Sequence, residues 1–261
     1  MALQFQGSAH FRFRLVFATL SGRSVRIRNI RAGSVDAPGL ADFEASFLRL
    51  LEKVVSGCVV EISETGTDVF YKPGIITGGR NITHDCGKSR GIGYFLEALV
   101  MLAPFAKQAF TRVTLNGITN ERIDNSVDVI RTVVLPYLRH FGIEDGVELK
   151  IVKRGAPPAG GGQVQFTCPI VKKLTAVDIT DLGKVKRIRG IAYSMRVSPQ
   201  MANRLVDGSR AILSAFTPDV FIYTDHYKGP ESGLSPGYGL ALVAESTSGC
   251  LVSAEGQGEA G

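Results

Sequence analysis

The sequence predicts an α/β fold of the α+β type. It holds two copies of a helix-strand-helix-strand-strand unit, followed by a smaller β-α-β-β block. Three observations lead there. Strand-like runs recur at a near-constant offset, 87 residues from Val25 to Arg112 and 89 from Cys58 to Val147. Apolar residues at helical spacing fall between those runs. After Pro169 the pattern changes.

In the first copy, residues 11–20 form a short apolar helix that stops at Ser21-Gly22, and 25–31 alternate as a strand. Asp42 suits an N-cap, and Phe43, Phe47, Leu50, Leu51 and Val54 form one helical stripe that Gly57 terminates. Strands 58–63 and 68–72 follow, joined by a turn with Thr65-Gly66.

The second copy repeats the order. Residues 92–102 are helical, with Pro104 beyond, and 112–117 form a strand. Ser126 caps a helix that presents Val127, Ile130, Val134, Leu138 and Phe141, and Pro136 should kink it. Strands 147–153 and 163–168 close the unit. A four-element sheet with two helices on one face would bury both apolar stripes.

In the smaller block, 186–197 is a strand and Ser198-Pro199 opens a helix as N-cap and N1. Strands 219–224 and 237–245 follow, and 230–236 reads as a mobile loop. The expected domains are 1–183 (repeats of about 1–80 and 81–183) and 184–254. Residues 255–261 lack core-forming side chains and are expected to be disordered.

Composition narrows the class. The 261 residues are 44% hydrophobic and 21% charged, as in soluble globular chains. No apolar run reaches the ~18 residues a membrane helix needs. The first residues lack the pattern of an export signal, so Cys58, Cys86, Cys168 and Cys250 read as reduced thiols of an intracellular protein. The net charge of +6 has a particular location. Arg12, Arg14, Arg23, Arg26, Arg28 and Arg31 all precede the first acid, Asp36, and the rest of the chain balances. Arginine is the side chain best suited to bidentate phosphate contact. A second cluster holds Lys186, Arg187 and Arg189, with Lys172, Lys173 and Lys184 nearby. Each cluster is either a solvated basic face or a polyanion surface.

The loop Arg154-Gly-Ala-Pro-Pro-Ala-Gly-Gly-Gly162 is long for a hairpin. Arg154 with Gly160, Gly161 and Gly162 could form a nest of backbone N–H groups for an anion, or simply a wide turn. As the counterpart of the short turn at 64–67, it reads as a shape-determining turn.

Pro38-Gly39-Leu40, Tyr71-Lys72-Pro73-Gly74, Gly78-Gly79, the 154–162 loop and Arg187-Ile-Arg-Gly-Ile-Ala-Tyr193 together resemble the RNA 3′-terminal phosphate cyclase family. Ser198-Pro-Gln-Met-Ala-Asn-Arg204 and Tyr223-Thr-Asp-His226 point to its eukaryotic cyclase-like branch. The resemblance implies a large domain of three repeats with a small domain inserted after the second. This chain supplies two repeats and most of the insert, so an uncovered face is expected.

The resemblance also implies that a true cyclase activates RNA with ATP through an adenylylated histidine of the third repeat. None of His10, His84, His140 or His226 matches that motif, and His84 and His140 read as a loop residue and a helix-end residue. Residues 7–12 lack the acidic, glycine-rich opening of true cyclases, and Glu97 replaces a nucleotide-contacting glutamine, whereas Arg12 and Arg31 align with pocket arginines. The expectation is a non-enzyme with no catalytic residues, no metal ligands and no cofactor. The cyclase-like branch implies a nucleolar, hence nuclear, factor of the small-subunit pre-ribosome. Its partners would be pre-rRNA, a large nucleolar GTPase assembly factor and other pre-ribosome proteins, with no membrane. An active cyclase, a pre-rRNA endonuclease and a small-molecule transferase of enolpyruvyl type are the alternatives.

Overall fold

A computed structural model describes residues 2–79 and 81–258. The first repeat runs β1 (Leu3–Gln6), α1 (Phe11–Ser21), β2 (Val25–Arg28), α2 (Asp42–Val54), β3 (Val55–Ser56), β4 (Val59–Ile62), β5 (Val69–Lys72) and β6 (Ile75–Ile76). Its sheet is ordered β1-β2-β5-β4, with β1 parallel to β2 and the other pairs antiparallel. The second repeat runs β7 (Ile82–Asp85), α3 (Ile92–Leu102), β8 (Phe110–Gly117), α4 (Val127–Val129), a π turn (Ile130–Val134), α5 (Leu135–His140), β9 (Glu148–Lys153) and β10 (Gly162–Cys168). Its order, β7-β8-β10-β9, is the same topology.

Each copy therefore begins with a strand that the expected unit lacks. β1 and β7 hold four residues each, too few for alternation to stand out. Asp42 is the first helical residue rather than the N-cap. The capping bond comes from Glu44, whose carboxylate accepts the Ala41 N–H at 2.9 Å. Helix α2 passes directly into β3, and Gly57 turns the chain afterwards. Ser126 caps as expected, its hydroxyl accepting from the Val129 N–H. Pro136 follows the π turn: it has no N–H to donate to the Thr132 carbonyl, and the widened turn accommodates its ring.

Both repeats share one core. Leu15, Phe47, Leu51, Phe95, Val113 and Phe166 are sealed within it. Helix α3 is buried on nearly every side, whereas α1 leaves Phe17 and Leu20 exposed.

The third sheet comprises β11 (Val185–Met195), β12 (Val220–Tyr227), β13 (Gly237–Ser246) and β14 (Leu251–Gln257), in the order β12-β11-β13-β14. Helix α6 (Gln200–Leu213) crosses between the parallel β11 and β12 and packs Ala202 and Val206 on Ala192 and Ile222. Ser198 accepts the Gln200 N–H and Pro199 already has helical dihedrals, as the Ser-Pro opening predicts.

Two expectations fail here. Residues 255–257 are not disordered: β14 pairs Glu255 with Ala241 and Gln257 with Gly239, so backbone hydrogen bonds order a segment that composition could not. Residues 259–261 lie outside the described residues. The 230–236 segment is tied down rather than loose, with Ser232 and Ser235 buried against the 154–162 loop.

Candidate functional site

Alternation on β2 sends Val25 and Ile27 into the core and Arg26 and Arg28 to the opposite, open face of the first sheet. Arg26 lies over the Phe70 ring at 5.3 Å, and Lys72 extends the same face. Arg23 is exposed just beyond α1. Among the described residues, no acid pairs with Arg23, Arg26 or Arg28. The second sheet presents Thr114, Asn116, Gln163 and Gln165 at the matching positions, with Lys150 beside Gln165 and Glu148 beside Thr167.

The other three N-terminal arginines hydrogen-bond to groups of the protein itself. Arg14 donates to the Gln6 and Gly7 carbonyls at 3.2 and 2.8 Å, and burial lowers its pKa. Arg12 is buried, donating to the Tyr94 carbonyl at 2.6 Å and to Glu97 at 2.5 Å, while its Nε has no acceptor. Arg31 forks onto Glu44 and also donates to the Gly39 carbonyl. Arg90, which sequence reasoning missed, pairs with Asp124 and stacks on Phe43 and Tyr94. Burial, then the Glu44 charge, pushes the Tyr94 hydroxyl well up. Arg12, Arg31 and Arg90 thus line a cavity of about 330 Å³ together with the carboxylates of Glu44 and Asp124, with Glu97 behind. The anion pocket expected at Arg12 and Arg31 therefore holds carboxylates as well as arginines. Their charge is already balanced by acids from distant elements, and a triphosphate would have to displace carboxylates.

The 154–162 loop is a seam. Arg154 is 0% exposed, and its guanidinium forks onto Asp128 at 2.7 and 2.8 Å. It also donates to Asp225 at 2.7 and 3.0 Å and to Asn120 at 3.2 Å, between the rings of Tyr193 and Tyr227. Burial alone would disfavour this charge. The two carboxylates outweigh it and raise the Arg154 pKa, and the guanidinium in turn holds Asp128 below the usual carboxylate range. Arg154 therefore joins the second repeat to the third sheet and is closed to any outside anion.

Several of the loop's backbone N–H groups are likewise occupied. Gly155 donates to Thr119 Oγ1, Ala159 to Ser235 Oγ and Gly160 to the Ala156 carbonyl. The triple glycine serves close approach. A Cβ at Gly161 would stand 2.7 Å from Leu234, and one at Gly162 2.7 Å from Thr119.

On β11, Arg187 pairs with Glu245 at 2.5 Å and Arg189 forks onto Asp219 at 2.7 and 3.0 Å. Both remain partly exposed, and Lys186 is exposed. Of the nine cations expected to bind RNA, Arg23, Arg26 and Arg28 pair with no acid among the described residues and Lys186 is exposed, Arg187 and Arg189 are paired at the surface, Arg14 is half-buried on backbone carbonyls, and Arg12 and Arg31 pair with acids.

His226 Nδ1 lies 2.8 Å from the hydroxyl of the buried Ser194. His84 is a buried β7 residue rather than a loop residue. Its Nε2 lies 3.0 Å from Ser46 Oγ, and burial, aided by Lys53, pushes its pKa down to about 4. His140 ends α5 as expected. The described residues contain no cluster of three or more His, Cys, Asp or Glu side chains that could hold a metal, and no helix is long and apolar enough to cross a membrane.

Residues 3–252 match the model of the RNA 3′-terminal phosphate cyclase family. The chain is 56% identical over 255 residues to the human RNA 3′-terminal phosphate cyclase-like protein, covering 97% of this chain and 68% of that one. It is 52% identical to the rRNA processing protein rcl1 of Schizosaccharomyces pombe, with 99% and 71% covered. It is 45% identical to the rRNA processing protein RCL1 of Saccharomyces cerevisiae, with 98% and 70% covered.

Proposed function

The chain belongs to the RNA 3′-terminal phosphate cyclase family, and from that premise we propose that it acts in rRNA processing as an RNA-binding factor without catalytic turnover. Within that role it serves maturation of small-subunit rRNA in the nucleolus, alongside a large GTPase assembly factor and other pre-ribosome proteins. The observation that carries the reading is the contrast between the neutralised arginine cavity and the free Arg26–Arg28 face. A cavity whose arginines are matched by carboxylates is poor ground for a nucleotide. A row of unpaired arginines on an open sheet is good ground for phosphates.

Two measurements test this. Incubation with ATP labelled in its α-phosphate should give no covalent adduct; an adduct would restore the cyclase reading. Arg26→Glu with Arg28→Glu should weaken binding to pre-rRNA and lower the steepness of its salt dependence by about two phosphate contacts. Unchanged affinity and slope would remove the first sheet from the RNA surface.

A further inference from the structure

Phe221 and Tyr223 are 45% and 59% exposed on β12, although neither belongs to the site described above. Both point to the face of the third sheet opposite α6, because Ile222 between them is buried against that helix. Parallel register sets Arg189 beside Phe221 and Ile191 beside Tyr223, and on the far side of β11 Arg187 stands beside Glu245. One end of this face, at Tyr193, Asp225 and Tyr227, is closed by Arg154. The other end is open, and between the sheet and Thr132 of the π turn it forms a groove of about 190 Å³.

The two rings meet at 4.5 Å and 73°, so their faces are nearly perpendicular. Beside them Arg189 is fixed by both oxygens of Asp219, which holds the guanidinium plane in place without covering it. Lys186 and Arg187 continue the strand outward. Exposed rings with ordered guanidinium planes on a sheet are the surface on which unpaired bases stack, and cations along the strand suit the backbone that links them. Perpendicular rings suit bases splayed apart. A duplex, whose bases are already stacked on one another, offers nothing for them to hold.

We infer that the open end of the third sheet is a platform for single-stranded RNA, with Phe221 and Tyr223 each stacking one unpaired base and Arg187 and Arg189 flanking them. The inference rests on the RNA-binding reading and adds the state of the RNA that is recognised. It is independent of the first sheet, which needs only phosphates and no free bases.

The test measures binding of a fluorescein-labelled single-stranded oligouridylate, and of the same strand annealed to its complement, to the whole chain. Its variants are Phe221→Ala with Tyr223→Ala, and Arg26→Glu with Arg28→Glu. The aromatic pair is exposed, so its loss should leave the thermal midpoint unchanged. Single-strand affinity should fall about tenfold or more with the aromatic variant, while duplex affinity stays the same. The arginine variant should weaken both RNAs. Crosslinking with 5-iodouridine in the oligonucleotide should mark the 221–223 peptide. If the wild type binds RNA and the aromatic variant binds the single strand equally well, the platform is overturned while the RNA-binding reading stands. If the wild type binds neither RNA, both fall. If RNA binding is intact and the variant instead loses a protein ligand, the face is a protein dock and the inference is wrong.

Discussion

The last hairpin of each repeat occupies the same place in the same topology, yet the two join different parts of the molecule. In the first repeat the turn between β4 and β5 stays within its own repeat: Ser63 N–H donates to the Asp68 carbonyl and Gly66 N–H to that of Ser63, while the Gly66 and Thr67 carbonyls accept from Leu40 and Ile30. Its tip, at Glu64 and Thr65, is exposed. In the second, the 154–162 loop buries an arginine between two aspartates from other elements and takes up the 229–236 segment. Lengthening a hairpin has turned a contact within one repeat into a joint between sheets. The lesson is that a glycine-rich, basic loop can be basic for internal reasons.

The largest test removes the joint. Arg154→Ala strands the fully buried Asp128, and the stability loss should be about 3–5 kcal/mol in a denaturant titration. Glu64→Ala in the other turn should stay within about 0.5 kcal/mol. Similar costs for the two would abolish the distinction.

Next is acid. His84 has a folded pKa of about 4, below its ordinary 6.5, so the unfolded chain binds its proton first. Stability should therefore fall as pH drops from about 6.5 to about 4, by up to roughly 3 kcal/mol, and level off below. His84→Gln should flatten that part of the profile in the second repeat. A profile unchanged by the substitution would show that this burial carries no linkage.

The finest comparison uses two glycines. Gly161→Ala meets Leu234 at 2.7 Å with φ of 82°, and should cost about 1–3 kcal/mol. Gly66→Ala, with φ of 69° but its nearest neighbour at 3.4 Å, should cost about 1 kcal/mol, from backbone strain alone. Equal melting shifts would mean that crowding at the joint relaxes freely.

Much of the fold was legible because its signals are local. The helical stripe from Phe47 to Val54 and the alternation at β2 are properties of neighbouring residues. So is the Ser126 cap. β1 and β7 escaped because four residues cannot display a period. β14 escaped because its order comes from backbone pairing, which composition does not register. The site was harder. Arg26 and Arg28 could be read from alternation, but nothing near Arg12 announces Glu97, 85 residues away. Nothing near Arg154 announces Asp128 and Asp225, 26 and 71 residues away in opposite directions. Whether an arginine is free for a ligand depends on which acids the fold brings to it. The exposed pair Phe221 and Tyr223 reads in sequence like any alternating strand, and only the missing cover over one end of the sheet sets it apart.

The rod from Val127 to His140 is held at both ends by β14. Glu255 accepts the Ser126 N–H across 129 positions, and Tyr137 exchanges hydrogen bonds with Leu251 across 114. On a ribosome adding about 5–20 residues per second, those partners emerge on the order of ten seconds after the rod itself. Through that interval Val129 and Val133 lack the cover of Val243 and Leu251. The second repeat is thus finished from β14, and a chain halted before residue 251 would leave that repeat made but unfastened.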